Sequence, residues 1–182
     1  LRDIRPLNYI TGPLGSGKTR LAKRLAEELG GTFLELERQA DPSHRSQLAP
    51  ILALLVQDGA TESAALLGLL AGLEAPQTVP IVVDMVEQGL DKPTQEAMIA
   101  HLRRRPLGAP PLFLLTRSCA ILDLDAVGPD EAIIFCPANH SPPARVAPYP
   151  GAPGYEALAS CLASPEVRAR TEGVIAWRPA VA

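Results

Sequence analysis

A glycine-rich stretch near the start of the chain carries the first residues whose types and spacing could do chemistry. In TGPLGSGKTR, residues 11–20, four residues separate Gly12 from Gly17, Lys18 and Thr19. Glycines let the main chain turn tightly and come close to a ligand, and successive amides at the start of a helix bind anions. A lysine ammonium binds phosphate oxygens, and a threonine hydroxyl is a ligand for Mg²⁺. The spacing therefore predicts a loop that binds phosphate groups.

This spacing is that of the P-loop, or Walker A motif, so the expected ligands are the nucleotide ATP and Mg²⁺. We expect Lys18 to bind the β- and γ-phosphates and Thr19 to hold the metal ion. The alternative is a relic loop that binds no nucleotide, but the presence of both Lys18 and Thr19 favours binding. The candidate nucleotide-binding residues are Gly12, Pro13, Leu14, Gly15, Ser16, Gly17, Lys18, Thr19 and Arg20.

An aspartate that ends an apolar run supplies a second group for metal chemistry. Asp84 follows the run IVV in PIVVDMVEQGLDKPTQ, residues 80–95. A phosphate-binding loop needs an acid at the end of a neighbouring strand to hold the water shell of Mg²⁺. An aspartate at a strand end can also serve as a turn residue or helix cap alone. Because the glycine-rich loop is present as well, we favour the metal role and predict Thr19 and Asp84 as the metal-binding residues.

Apolar strands and amphipathic helices alternate along the chain and would position these groups. Several strands lack polar alternation, which is typical of the centre of a parallel sheet covered on both faces. We therefore predict an α/β fold with a mostly parallel sheet and helices on both faces. The predicted strands cover residues 7–11, 32–37, 79–84, 112–116 and 132–136. The predicted helices cover residues 18–29, 47–56, 61–73, 93–105, 155–162 and 165–170.

Length and proline content bear on the domain organisation. The 182 residues suit one domain, so we predict a single nucleotide-binding domain over residues 1–182. Residues 137–154 hold too many prolines for a helix or an inner strand and predict one long surface loop. A loop of that length in a small domain is often functional. Within it, Asn139-His140-Ser141 could meet a substrate or a partner, or form a rigid turn.

Composition and charge restrict the class of protein. Apolar residues make up 47% and charged residues 20%, the balance of a folded globular chain. The net charge of −3 gives no bulk attraction for nucleic acid, so such a partner is not implied. Cys119, Cys136 and Cys161 are far apart, which is typical of reduced cysteines in a cytosolic protein. Because the sequence shows neither a membrane-span-length apolar run nor a signal-peptide core at residues 1–5, we expect a cytoplasmic protein.

The segment that begins at Asp84 resembles the Walker B and D-loop segment of ATP-binding-cassette (ABC) ATPases, most of all their RecF/SMC-like, stand-alone branch. Glu87-Gln88-Gly89-Leu90-Asp91 follows Asp84, and Gly89-Leu90-Asp91 stands at the family's distance beyond the magnesium aspartate. The resemblance implies a P-loop NTPase with an ABC/RecA-like strand order. It also implies an ATPase activity that depends on Mg²⁺.

Other segments extend this resemblance over roughly residues 4–137. The strand 112–116 followed by Arg117 resembles the family's switch segment. Residues 57–70 stand where the family has its signature loop and helix, although only Gly59 fits well there. Because the chain is short for such a domain, the family's helical insertion would be reduced to about residues 41–73.

Two departures from the family bear on hydrolysis. The family's catalytic base is a glutamate directly after the magnesium aspartate, and Met85, which cannot deprotonate water, stands there. The family's switch histidine is replaced by Arg117, which could contact a γ-phosphate or form a structural ion pair. We therefore predict slow or absent hydrolysis. Glu87 is the nearby carboxylate that could replace the base, or it is a solvated loop charge. The candidate catalytic residues are Lys18, Asp84, Glu87 and Arg117.

In the family, two copies face each other and enclose two ATP molecules. The resemblance thus implies an ATP-dependent homodimer, or a nucleotide-controlled contact with an unidentified protein partner. Asp91 would lie at the seam, and Gly59 would lie near the partner's γ-phosphate. A local role for Asp91 is equally available, because an aspartate two residues before Pro93 is a good helix N-cap.

A kinase is the alternative function. The stretch GSGKTRLAKRLAEELGGTFLELE, residues 15–37, also resembles the opening of shikimate-kinase-like enzymes, whose substrates are small molecules or nucleotides. Glu35 or Glu37 would then be the substrate-binding acid. Such kinases need a lid with arginines, and the region from Arg117 onward has no arginine-rich segment of that kind, so we favour the ATPase. A regulatory protein that binds ATP without hydrolysing it is a third possibility.

Overall fold

The computed structural model of the protein describes residues 3–38, 44–106, 108–138 and 141–162. Within these ranges the chain forms one six-stranded sheet and five α-helices. The strands are β1 (Leu7–Thr11), β2 (Thr32–Leu34), β3 (Ile81–Val83), β4 (Leu112–Leu115), β5 (Glu131–Phe135) and β6 (Ala144–Arg145). The helices are α1 (Lys18–Glu28), α2 (His44–Gln57), α3 (Ala64–Leu73), α4 (Lys92–Arg103) and α5 (Tyr155–Leu162). Residues 41–43 of the expected helical insertion, the predicted helix at 165–170, and Asn139 and His140 lie outside the described residues.

The sheet has the strand order β2-β3-β4-β1-β5-β6. Strands β1 to β5 pair in parallel, whereas β6 pairs antiparallel with β5. The predicted α/β class with a mostly parallel sheet is thereby confirmed. Because parallel strands end at a common edge, the segments that follow β1, β3 and β4 all lie at that edge.

Helices cover both faces of the sheet. On one face α1 buries Ala22 and Ala26 against strand residues that include Phe113. On the other face α2, α3, α4 and α5 join a larger apolar cluster that includes Met98. Neighbouring residues of a strand belong to opposite clusters, which explains why β3 and β4 are apolar throughout. Among the described helices, none is long and apolar enough to cross a membrane.

The structure differs from the sequence expectation at two strands. Strand β2 ends at Leu34 instead of Glu37. The proline-rich loop 137–154 is interrupted by β6, which pairs with the last two residues of β5. Because β6 has a neighbour on one side only, the surrounding prolines remove no hydrogen bond from the sheet interior. A proline-rich segment can therefore add a short edge strand, which a composition argument does not reveal.

Helix α3 consists of alanine, leucine and glycine, a composition that predicts burial, and five of its residues are buried. Its two glycines allow close packing. A Cβ at Gly68 would overlap the main-chain carbonyl of Arg38, and one at Gly72 would lie 2.7 Å from the Cδ1 atom of Leu34. The helix thus packs directly on β2 and on the segment that follows it.

We expect Gly68→Ala to lower the free energy of unfolding. Alanine improves helix propensity by about 1 kcal/mol, but overpacking against a main-chain carbonyl that cannot rotate away costs about 1–3 kcal/mol. Gly72→Ala is the matched control in the same helix, because the leucine side chain that it meets can change rotamer. Urea denaturation of both variants checks this, and an equal or smaller loss for Gly68→Ala would contradict the packing argument.

Candidate functional site

The glycine-rich loop, residues 12–17, connects β1 to α1 and needs glycine at defined positions. Gly12, Gly15 and Gly17 have φ values of 148°, 75° and 82°, which side-chain-bearing residues rarely adopt. A Cβ at Gly12 would also overlap the carbonyl oxygen of Cys136, because the loop lies against the end of β5. Gly17 is the N-cap of α1 and offers no side-chain hydrogen bond, so no cap side chain occupies the first amides of the helix. Uncapped amides with the positive end of the helix dipole can bind an anion.

Lys18 turns back into this loop. Its Nζ donates hydrogen bonds to the carbonyl oxygens of Gly12, at 3.0 Å, and Pro13, at 2.7 Å. The residue is only 9% exposed. Burial lowers the pKa of the Lys18 ammonium, and the positive charge of Arg117 lowers that pKa further. The loop therefore holds a buried cation beside a second cation, which is a favourable environment for an anion.

Thr19 and Asp84 come together although they are 65 residues apart in the chain. Asp84 follows β3 directly and is 4% exposed. Strand β4 separates β1 from β3, a distance of about 10 Å, and Thr19 in the first turn of α1 bridges that gap. Its Oγ1 donates a hydrogen bond to Oδ2 of Asp84 at 3.2 Å. Both predicted metal-binding residues thus belong to one site.

The donor set fits a magnesium ion. A threonine hydroxyl and a carboxylate are the hard oxygen ligands that Mg²⁺ prefers, with phosphate oxygens and water completing its octahedron. In the part of the chain that the structure describes, no group of three or more His, Cys, Asp or Glu side chains could hold a metal ion alone. Any ion at Thr19 and Asp84 would therefore take its remaining ligands from water or from a bound phosphate.

The carboxylate of Glu87 contacts the main chain of Arg117 and forms no ion pair with the Arg117 guanidinium. Oε1 of Glu87 accepts a hydrogen bond from the main-chain N–H of Arg117 at 2.9 Å. Oε2 of Glu87 and Nε of Arg117 are buried without a hydrogen-bond partner. Among the described residues Arg117 forms no ion pair. The structural ion pair, which was one of the two roles expected for this arginine, is therefore not found there. The arginine joins Lys18 as a second cation at the loop, and Glu87 keeps one free acceptor oxygen.

Arg38 is the residue of this site that the sequence does not indicate. Its Nη2 donates hydrogen bonds to the carbonyl oxygens of Asp84 and, at 2.9 Å, of Met85. It belongs to no motif and lies 46 residues before Asp84, so only the pairing of β2 with β3 brings it there. Met85, the residue in place of the expected base, has a left-handed φ of 43°.

Asp91 caps a helix. Its carboxylate accepts a hydrogen bond from the N–H of Thr94 at 2.9 Å, which confirms the local role predicted for it. It also accepts one from the hydroxyl of Thr61 at 2.8 Å. Gly59, two residues before Thr61, is exposed, so the two residues expected at a dimer seam lie in one surface region. Glu35, a candidate substrate acid of the kinase alternative, forms an exposed ion pair with Lys23 at 3.5 Å.

Comparison of the chain with models of known protein families finds no match. A comparison with curated proteins finds none either.

We expect Arg117→Gln to raise the pKa of Lys18, because the substitution removes a positive charge that disfavours the ammonium form. Arg20→Gln is the control, since Arg20 is an exposed neighbour on α1 that does not contribute to the shift. Titration of the Lys18 Cε resonance by ¹³C NMR in both variants gives the comparison. Equal pKa values in Arg117→Gln and the parent protein would contradict the proximity of the two cations.

Proposed function

We propose that the protein is a P-loop ATP-binding protein of the ABC type that hydrolyses ATP slowly or not at all. The observation that carries the proposal is the hydrogen bond between Thr19 and Asp84 beside the glycine-rich loop. Two residues with separate sequence signals, one after the loop and one after an apolar strand, meet at 3.2 Å, which is close enough for both to contribute to one metal site. The strand order, with β4 between β1 and β3, agrees with the ABC/RecA-like order that the resemblance implies.

Each residue has a role that follows from its chemistry. The amides of the glycine-rich loop and Nζ of Lys18 would bind the β- and γ-phosphates. Thr19 and Asp84 would hold Mg²⁺, which neutralises the charge of the phosphate oxygens when it is bound. Arg117, without an ion pair in the described chain, is available to a γ-phosphate as a charge-assisted donor. On this basis a nucleotide with three phosphates would bind more tightly than one with two.

Slow hydrolysis follows from the methionine at position 85. A thioether cannot accept a proton from water or orient it, and such assistance contributes about 10²- to 10⁴-fold to a rate. The free oxygen of Glu87 could take a water proton, but its other oxygen is already held by the main chain of Arg117. Binding is therefore better supported than turnover, and the nucleotide would act by controlling a dimer or a contact with another protein.

The shikimate-kinase-like alternative differs from the ATPase in the reaction that it requires. It requires transfer of the γ-phosphoryl group to a small acceptor, and it assigns Glu35 or Glu37 to that acceptor. Both glutamates are exposed, and Glu35 already pairs with Lys23. A screen of hydroxyl-bearing small molecules and nucleoside monophosphates with radiolabelled ATP decides between the two functions, because a labelled acceptor would overturn the ATPase assignment.

We expect the protein to dimerise with Mg-ATP and to be monomeric with Mg-ADP. Asp91 and Gly59 would lie at the seam, close to the partner's nucleotide. Sedimentation velocity measures the mass in both states, and Lys18→Ala should abolish the ATP-dependent dimer. A monomer in every state would contradict the ATP-dependent homodimer, and the nucleotide would then control a contact with another protein.

We expect Met85→Glu to raise the rate of ATP hydrolysis by about 10²-fold or more, because the substitution supplies the missing base. Met85→Gln is the matched control: it has the same size and the same left-handed main chain but cannot deprotonate water. Release of inorganic phosphate under single-turnover conditions compares the two variants with the parent protein. Equal rates for Met85→Glu and Met85→Gln would mean that no water is positioned beside residue 85.

A further inference from the structure

The turn after β3 is strained at one residue. Met85 has a φ of 43°, and it is the one non-glycine residue with positive φ among the described residues. A left-handed conformation costs an L-residue with a side chain about 1–2 kcal/mol. It persists only where the surrounding structure holds it, and such residues cluster at functional sites. The groups that hold Met85 are therefore of functional interest.

Arg38 is the side chain that holds this turn. Its Nη2 donates to the carbonyl oxygens on both sides of the strained position, those of Asp84 and Met85. Its Nε donates to the carbonyl of Glu35 at 2.8 Å. A guanidinium has several donors in one rigid plane, so two of its nitrogens fix three carbonyl groups in one relative orientation, whereas the donors of an ammonium all lie on one rotatable group.

The position of Arg38 is itself fixed. Gly68 of α3 packs on its main-chain carbonyl, where even a methyl group would not fit. The guanidinium is half-buried, and burial lowers its pKa while the charges of Asp84 and Glu87 raise it. Arg38 therefore connects α3, the exit of β2 and the metal carboxylate in one rigid unit.

We propose that Arg38 is a positioning residue, which holds the Asp84–Met85 turn in the conformation that directs the carboxylate of Asp84 at Thr19. The main-chain oxygens, and not the carboxylate, accept its hydrogen bonds, so Arg38 leaves both carboxylate oxygens free for a metal ion. This role rests on the proposed function in so far as the ion is Mg²⁺ bound with ATP. The strain at Met85 and its support by Arg38 can be tested without any ligand.

The first test is a double-mutant cycle in the absence of nucleotide. Arg38→Ala should lower the urea midpoint, because the left-handed turn loses its support. Met85→Gly removes the conformational strain, so the loss caused by Arg38→Ala should be smaller in the Met85→Gly background. Arg24→Ala, which removes an exposed helix-surface pair with Glu28, is the control and should be additive with Met85→Gly. An additive cycle for Arg38 and Met85 would overturn the proposal.

The second test measures binding of N-methylanthraniloyl-ATP by fluorescence, with Mg²⁺ and with EDTA. Loss of a group that orients a metal ligand costs about 10- to 100-fold in metal affinity. Arg38→Ala should therefore weaken binding by that factor with Mg²⁺ and leave binding in EDTA unchanged, and Met85→Gly should restore part of the loss. Arg38→Lys, which keeps the charge without the planar fork, should behave like Arg38→Ala and replaces it if the alanine variant does not fold.

The outcomes separate the two proposals. A parent protein that binds no nucleotide in either condition would overturn the proposed function and the metal role of Arg38 with it. Normal binding by the parent protein, with equal losses in Mg²⁺ and EDTA for Arg38→Ala, would overturn the role of Arg38 alone.

Discussion

The hydrogen bond between Thr19 and Asp84 is the contact on which the site depends, and the parallel sheet makes it possible. Parallel strands end at one edge, so a loop after β1 and a carboxylate after β3 face the same side although β4 lies between them. The first turn of α1 then places the hydroxyl across the gap. An antiparallel β3 would carry Asp84 to the opposite edge, where no part of the glycine-rich loop could reach it.

This arrangement places special demands on main-chain conformation and on close contacts between main-chain segments. Gly12 is needed because the loop touches the end of β5, and Gly68 is needed because α3 packs on the segment after β2. The turn at Met85 has no glycine, and Arg38 holds it through two carbonyl groups. Helix α3 and Asp84 are thus connected through Arg38, whose main-chain carbonyl contacts Gly68 and whose guanidinium binds the carbonyl groups of Asp84 and Met85.

Sequence patterns predict the sheet and the loop because both have strong local signals. The apolar runs of β3 and β4 reflect burial on two faces, and the glycine spacing before Lys18 reflects main-chain conformations that other residues avoid. The role of Arg38 has no local signal, since it depends on the pairing of β2 with β3. The sequence does not predict strand β6 for a related reason. Its proline content argues against an inner strand, but it gives no information about a two-residue edge strand. The nucleotide, the metal and the dimer stay predictions.

The charges around the turn after β3 bear on what a glutamate in place of Met85 would meet. Burial lowers the pKa of Arg38, and the charges of Asp84 and Glu87, which both lie near its guanidinium, oppose that shift. A third carboxylate at position 85 would add like-charge repulsion in a half-buried environment. With methionine there, the two carboxylates lie near the cations of Arg38, Lys18 and Arg117, and on the proposed function the turn would hold Asp84 instead of activating water. On the proposed function, such a site would favour a long-lived nucleotide-bound state over rapid turnover, which suits a protein whose conformation or assembly is the output.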